Sequence, residues 1–233
     1  MRNMTNGLLA KQREVAVPGE VLCKGMDFLP GQGTYRQGDN IHAERLGLVS
    51  VEGRSIRIIP LSGKYMPKRD DIIICKVIDI TLNGWRLDTN SAYSALLGLK
   101  EGSAEFIQRG ADLKQIYDLG DYIMCQVIQV TSQKLVDVSM RGPGLRKIKG
   151  GRIIEVNPFK VPRIIGKQGS MISMVKQALN CNILVGQNGL IWIRGEPVAE
   201  QKAIAAIRKI EEESHVSGLT EKMKDYLQKS ASR

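Results

Sequence analysis

The sequence predicts a multidomain chain, mostly β over its first 142 residues and α+β after them. Three observations carry that reading. Residues 12–66 break into short apolar runs separated by glycine, proline and asparagine turns. The β-type stretch Asp71–Thr81 recurs as Asp121–Thr131, with six identities in eleven positions at a register of 50 residues. Beyond residue 143 the apolar spacing changes to the helical period in two segments. A length of 233 residues suits one or two domains and admits three small ones, and 42% hydrophobic with 25% charged residues is globular composition.

The first domain is expected over 1–66. Val15, Val17, Val21 and Cys23 alternate around Pro18-Gly19, and a turn-rich run follows from Leu29 to Asn40. Apolar spacing resumes from Ile41 to Val51, Gly53 turns the chain, and Ser55–Leu61 reads as a further strand. Short strands at close intervals predict a small β-sandwich or barrel. Gly31-x-Gly33 lacks the third glycine of a dinucleotide loop and the Gly-Lys-Ser/Thr of a P-loop, so it reads as turn chemistry.

The second domain is expected over 67–142. The two echoing stretches are its first and fourth strands. Trp85–Leu87, Ala92–Leu97 and Leu135–Met140 supply the others, and Gly98–Gly120 is a long excursion between the third and fourth. Five strands with that insertion predict an OB-type barrel.

Residues 143–233 read in the order β-α-α-β-β-α. Gly142-Pro143-Gly144 and Gly150-Gly151 flank a basic linker, Arg146-Lys147-Ile148-Lys149. Arg152–Val156 is a strand and Val161–Ile165 a short helix. Ser170–Leu179 carries Met171, Ile172, Val175 and Leu179 on one helical face. Strands Asn182–Val185 and Leu190–Ile193 are joined through Gly186-Gln187-Asn188-Gly189, a hairpin signal. Pro197 opens a helix through Val198–His215. The tail Thr220–Ser230 forms a short amphipathic helix on Met223, Tyr226 and Leu227 or stays mobile.

Charge separates these segments. Residues 1–66 carry 9 basic and 6 acidic side chains, 67–142 carry 9 and 10, and 143–233 carry 16 and 8. Within 143–176 eight basic residues face one acid, Glu155. A concentrated basic segment points to a polyanion, most simply nucleic acid. Cys23, Cys75, Cys125 and Cys181 stand about fifty residues apart with no Cys/His cluster, so they are expected to be buried free thiols, with no zinc site and no cofactor. There is no apolar run of 18 residues, and Met1–Lys11 lacks an apolar core; a cytoplasmic chain without a membrane partner is expected.

The most specific motif is Ile164-Ile165-Gly166-Lys167-Gln168-Gly169-Ser170-Met171-Ile172. A Gly-x-x-Gly turn between helices lets backbone approach a ligand, and the helix that follows offers N–H groups to phosphate. The motif resembles the clamp by which KH domains hold single-stranded RNA. Its predicted RNA-binding residues are Lys160, Arg163, Gly166, Lys167, Gln168, Gly169 and Ser170. Trp85, Arg86 and Tyr93 are further candidates, the two aromatics either stacking on bases or lying in the barrel core or an interface, and so are the linker cations Arg146, Lys147 and Lys149. Trp192 is expected in the sheet core, Glu211–Glu213 on a solvated face, and His42 and His215 in structural or surface roles. No nucleophile–base pair, acid pair or metal constellation can be assembled, so no catalytic residue is assigned.

The whole chain resembles a family. Its last third is similar to KH domains of the eukaryotic type, and its middle third to the OB-fold domain named after ribosomal protein S-one. Gly84-Trp85-Arg86-Leu87-Asp88-Thr89-Asn90-Ser91-Ala92-Tyr93-Ser94-Ala95-Leu96 resembles a stretch of the exosome cap subunits. Val17-Pro18-Gly19-Glu20-Val21, Gly33-Thr34-Tyr35 and Ile59-Pro60-Leu61-x-Gly63-x-Tyr65 resemble their N-terminal domain, and Gly186-Gln187-Asn188-Gly189 their Gly-x-Asn-Gly hairpin. The order resembles the KH-containing, RNA-binding cap subunit of archaeal exosomes. The resemblance implies a non-catalytic member of a trimeric cap, together with two further subunits, on a hexameric ring of RNase PH-like proteins that degrades RNA from 3′ to 5′. It implies ring docking by the first domain, and RNA contact by the S-one and KH domains. The excursion, with Lys100, Arg109 and Lys114 balanced by Glu101, Glu105 and Asp112, is a pore-loop candidate by this analogy alone. The alternative is a transcription elongation or antitermination factor. Such factors also place an S-one domain before KH domains, but they usually carry two KH domains and a helical N-terminus. Bacterial polynucleotide phosphorylase has the reverse domain order on a long catalytic core.

Overall fold

The computed structural model describes residues 7–103, 111–214, 216 and 218–231; Glu105, Arg109 and His215 lie outside them. The chain forms two compact units, one ending at Gly63 and one beginning at Lys64. Among the described residues no helix is long and apolar enough to cross a membrane.

The first unit has strands β1 (Val15–Ala16), β2 (Val21–Lys24), β3 (Leu29–Pro30), β4 (Thr34–Gln37), β5 (Asn40–Ala43), β6 (Gly47–Glu52) and β7 (Ser55–Pro60). They make two sheets, β1-β6-β7-β3 and β2-β5-β4. Leu22, Ile41 and Ala43 from one sheet share a core with Val49, Ile56 and Ile58 from the other. Two strands, β3 and β4, fall within the run read as turn-rich. Tyr35 of β4 pairs with His42 across the sheet and stacks on it, ring centroids 5.4 Å apart. His42 Nδ1 lies 3.0 Å from the Gly19 carbonyl, a structural role.

In the second unit β8 (Ile72–Thr81), β9 (Gly84–Asp88), β10 (Ser94–Gly98), β11 (Tyr122–Val130) and β12 (Val136–Ser139) close a five-stranded barrel. The sequence echo has a structural counterpart. Register shifts leave one extra residue in β8 at Ile78 and one in β11 at Ile128, the same position of the two repeats. Such bulges bend and twist a strand. Ile73, Cys75, Val77, Leu87, Ile123, Cys125 and Val127 fill the interior, each aliphatic side chain contributing about 1.5–3 kcal/mol by burial. All four cysteines are free and buried, as their spacing predicted. Tyr65, assigned by composition to the first domain, is buried in this barrel, and its hydroxyl donates to Asp71 at 2.6 Å.

The basic linker is a correction. Arg146–Ile148 is a strand, β13, paired with β11. The linker extends the barrel's sheet because Lys147 pairs with Asp121 while Ile148 is buried.

β14 (Arg152–Glu155), α2 (Val161–Ile165), α3 (Ser170–Leu179), β15 (Asn182–Val185), β16 (Leu190–Arg194) and α4 (Pro197–Glu212) follow the predicted order; the numbering counts a short α1 (Leu99–Gly102) after β10. The tail is a helix, α5 (Leu219–Ala231), which buries Leu219, Met223 and Leu227 in the same core as α3 and α4. The sheet runs β14-β16-β15. Ile191 and Ile193 face the helices, whereas Trp192 packs with Ile74 and Ile148 against the barrel. Two buried faces explain why Leu190–Ile193 and Ile72–Ile74 are continuous apolar runs rather than alternating ones.

The β15–β16 turn locks the barrel to this sheet. β9 pairs with β8 only from Lys76 onward. Beyond its end, the Gln187 N–H donates to Ile72 O at 2.9 Å. Fully buried Asn188 donates through Nδ2 to Ile74 O at 2.7 Å and to Thr89 O at 2.8 Å, and its Oδ1 accepts from the Ile74 N–H at 3.3 Å. A side chain at Gly186 would sit 2.8 Å from the Ile74 nitrogen, so the close approach needs glycine there. Asn188→Ala is expected to cost roughly 1–3 kcal/mol for each carbonyl left without a donor. Asn188→Asp is expected to cost more, since a carboxylate would face two carbonyl oxygens. Urea denaturation midpoints of the three proteins check this order.

Candidate nucleic-acid interface

The Gly-x-x-Gly turn is built by two incompatible helix directions. α2 buries Val161 and Ile164, and α3 buries Met171, Ile172 and Val175. The chain reverses between them. Gly166 takes φ 76°, ψ 175°, a region essentially reserved for glycine. A Cβ there would lie 2.7 Å from Met171 Cβ and 2.8 Å from its nitrogen. Gln168 and Gly169 are left-handed, at φ 53° and 79°. A Cβ on Gly169 would meet nothing nearer than Ser173 Oγ at 4.0 Å. One glycine is therefore fixed by packing, while the other leaves open backbone at the surface.

α3 begins at Ser170 with no side-chain cap. Its first N–H groups and the positive end of its dipole face the turn, an arrangement suited to phosphate. Lys167, Gln168 and Ser170 are exposed around it. The structure thus gathers Gly166, Lys167, Gln168, Gly169 and Ser170 at one point.

The two other cations expected there turn away. Lys160 Nζ donates to Glu211 O at 3.0 Å. Arg163 donates through Nε to Ser214 O and through Nη2 to Val216 O, both at 2.9 Å. Glu211 and Glu213, expected on a solvated face, are partly buried. The Asn157 N–H donates to Glu211 Oε1 at 2.7 Å, and Glu213 pairs with Lys222 at 2.9 Å.

Trp85 is the clearest correction among the candidates. It is 1% exposed and offers no ring face to a base. Its Nε1 donates to Tyr117 O at 2.9 Å, the two rings meet edge to face, and Tyr117 Oη donates to Gly102 O at 2.8 Å. Trp85 thus anchors both described ends of the excursion. Arg86 is exposed on the barrel, opposite Asp79 in the register, and Tyr93 is half-buried against the barrel core. Arg146 and Lys149 are exposed at β13, next to the sheet rather than the helices. Lys147 is engaged by Asp121: burial pushes that carboxyl up, but the bonds from Lys147 and the Asp118 N–H, with the charges of Lys147 and Lys149, together hold it below its ordinary value. Asn188 carried no site signal beyond the hairpin, and its role emerges only from the barrel it meets.

Gly166→Ala is expected to lower stability by about 1–3 kcal/mol through backbone strain alone, before the clash with Met171 is counted. Gly169→Asp is expected to fold with a near-normal melting temperature, because Asp tolerates the left-handed region and the site is open. Thermal denaturation followed by circular dichroism checks both.

The model of the exosome complex exonuclease RRP4 N-terminal region matches residues 15–52, and a KH domain model matches residues 151–199. The chain is 41% identical over 224 residues to the exosome complex component Rrp4 of Methanothermus fervidus, covering 96% of this chain and 99% of that one. It is 38% identical over 224 residues to exosome complex component Rrp4 of Thermococcus kodakarensis, covering 94% and 87%. A crystal structure described as that of an exosome complex RNA-binding protein superposes with a TM-score of 0.64 at 29% identity, covering 72% of this chain and 97% of that one. With two relatives near 40% identity along nearly its whole length, the chain belongs to the Rrp4 family of exosome complex components.

Proposed function

We propose that this chain is a non-catalytic, RNA-binding cap subunit of an exosome. It takes single-stranded RNA and feeds it to a hexameric ring of RNase PH-like subunits for 3′-to-5′ degradation. The observation that carries the reading is the exposed Gly166–Gly169 turn at an uncapped helix N-terminus, inside a segment with eight basic residues and one acid. The family supports the cap role over the transcription-factor alternative. In this reading residues 1–66 dock on the ring and residues 67–142 and 143–233 contact RNA. Two further cap subunits, of the same or a related kind, complete a trimer.

An apolar sheet face supports docking by the first unit. Val15, Leu48 and Ile59 form one cross-strand row, with Val15 52% and Ile59 46% exposed. Val17, Leu46 and Leu61 continue it just past the ends of β1, β6 and β7 and are also exposed. Exposed apolar patches of this kind mark protein interaction sites. Val15→Asp with Ile59→Asp is expected to release the chain from ring proteins in size-exclusion chromatography and to leave RNA affinity unchanged. Co-elution equal to the wild type would contradict the docking assignment.

For RNA, Gly169→Asp adds a negative charge where phosphate would approach and is expected to remove most KH-dependent affinity. Lys167→Ala is expected to weaken all RNA sequences alike and to flatten the dependence of log affinity on log salt by about 0.7, the single-strand value per phosphate. Fluorescence anisotropy across a salt series reads both. The purified chain alone is expected to leave RNA length unchanged; phosphate-dependent shortening would assign it catalysis.

A further inference from the structure

Eight cations lie between residues 143 and 176, and charge alone would assign Lys160 and Arg163 to RNA with the rest. Their hydrogen bonds run elsewhere. The last turn of any helix leaves carbonyls without intrahelical partners and carries the negative end of the dipole. α4 ends at Glu212, and Lys160 Nζ donates to Glu211 O at 3.0 Å in that turn. Arg163 spans the connection beyond, with Nε on Ser214 O and Nη2 on Val216 O at 2.9 Å each. A planar guanidinium suits two carbonyls at once, where an ammonium is a single point charge. The Asn157 N–H, held by Glu211 Oε1 at 2.7 Å, adds a third tie from the α2 side.

These ties matter because α2 has little else to orient it. It is five residues long and buries only Val161 and Ile164, and one helical turn is not stable by itself. Arg163 stands three residues before Gly166, whose conformation aims the turn. The carbonyl end of α4 lies where Lys160 donates, and the connection beyond it lies where Arg163 donates, so both cations are aimed at backbone carbonyls and not at the turn.

We infer that Arg163, assisted by Lys160, is a positioning residue for the RNA clamp: it fastens α2 to the end of α4 and so holds the Gly166–Gly169 turn in its binding geometry without itself contacting phosphate. The inference rests on the reading that this turn binds RNA.

The test uses the full chain and a fluorescein-labelled oligouridylate, with anisotropy measured across a salt series well below the melting temperature. Arg163→Met removes both carbonyl bonds and the charge; Arg163→Lys keeps the charge and loses the fork. A positioning role predicts weaker binding for both, on the order of tenfold if the competent geometry falls to a tenth of the population, with the salt slope unchanged. It also predicts faster amide exchange at Lys167–Ser170. If Arg163→Met lowers the slope by about 0.7, or Arg163→Lys restores full affinity, Arg163 contacts phosphate and the inference fails. Wild-type affinity in both variants makes the residue merely structural and also overturns it. Should Arg163→Met not fold, Arg163→Lys decides alone. Lys167→Ala separates the two levels. Normal affinity and slope in that protein would bring down the clamp reading, and this inference with it. A Lys167 effect without an Arg163 effect would bring down the inference alone.

Discussion

The amide of Asn188 is the constraint on which the second unit depends. It is fully buried, and its two donors go to carbonyls of two different barrel segments, Ile74 and Thr89. Neither carbonyl has water available, so each would carry a desolvation cost without its donor. Satisfying both fixes the position of the β15–β16 turn on the end of β8. The apolar cluster of Ile74, Ile148 and Trp192 then forms around that contact. The polar bond sets the register and the apolar burial supplies most of the energy.

This docking decides which face of the KH domain remains for a ligand. The sheet face is covered by the barrel, and the helix face, with the Gly166–Gly169 turn, stays open. Two glycine-bracketed turns of four residues therefore meet opposite fates within about twenty positions of sequence. At Gly186–Gly189 the enclosed Asn188 finds backbone partners in the barrel and the turn is sealed. At Gly166–Gly169 the enclosed residues are exposed, the next helix is uncapped, and a Cβ at Gly169 would meet open space. The same local pattern becomes sealed or solvent-facing according to what the neighbouring domain presents to it.

Much of this was legible in the sequence because local patterns encode it. The 50-residue echo reported two equivalent strands, and both carry a bulge at the same isoleucine, Ile78 and Ile128. Helical spacing located α3 and α4, and the motif located the turn. The rest depended on long-range partners. Trp85 reads equally as a stacking aromatic or a core residue until Tyr117 and Gly102 are seen to close over it. Arg146–Ile148 reads as a linker because three residues cannot announce a strand without β11 beside them. Lys160 and Arg163 carry charges that composition assigns to RNA, and only the end of α4, some fifty residues away, shows where their hydrogen bonds go. Net charge locates a basic segment, but it does not tell which cations face outward.

The most direct test of the central claim is the orientation of the barrel relative to the KH domain in solution. Backbone residual dipolar couplings, measured on the full chain and fitted separately for β8–β12 and for β14–α4, would give it. The account predicts one shared alignment tensor, because Asn188 and the cluster around Trp192 join the two into a single rigid body. Two tensors of different magnitude or orientation would show the domains moving independently, and would contradict the claim that the buried amide fixes which face of the KH domain is left for RNA.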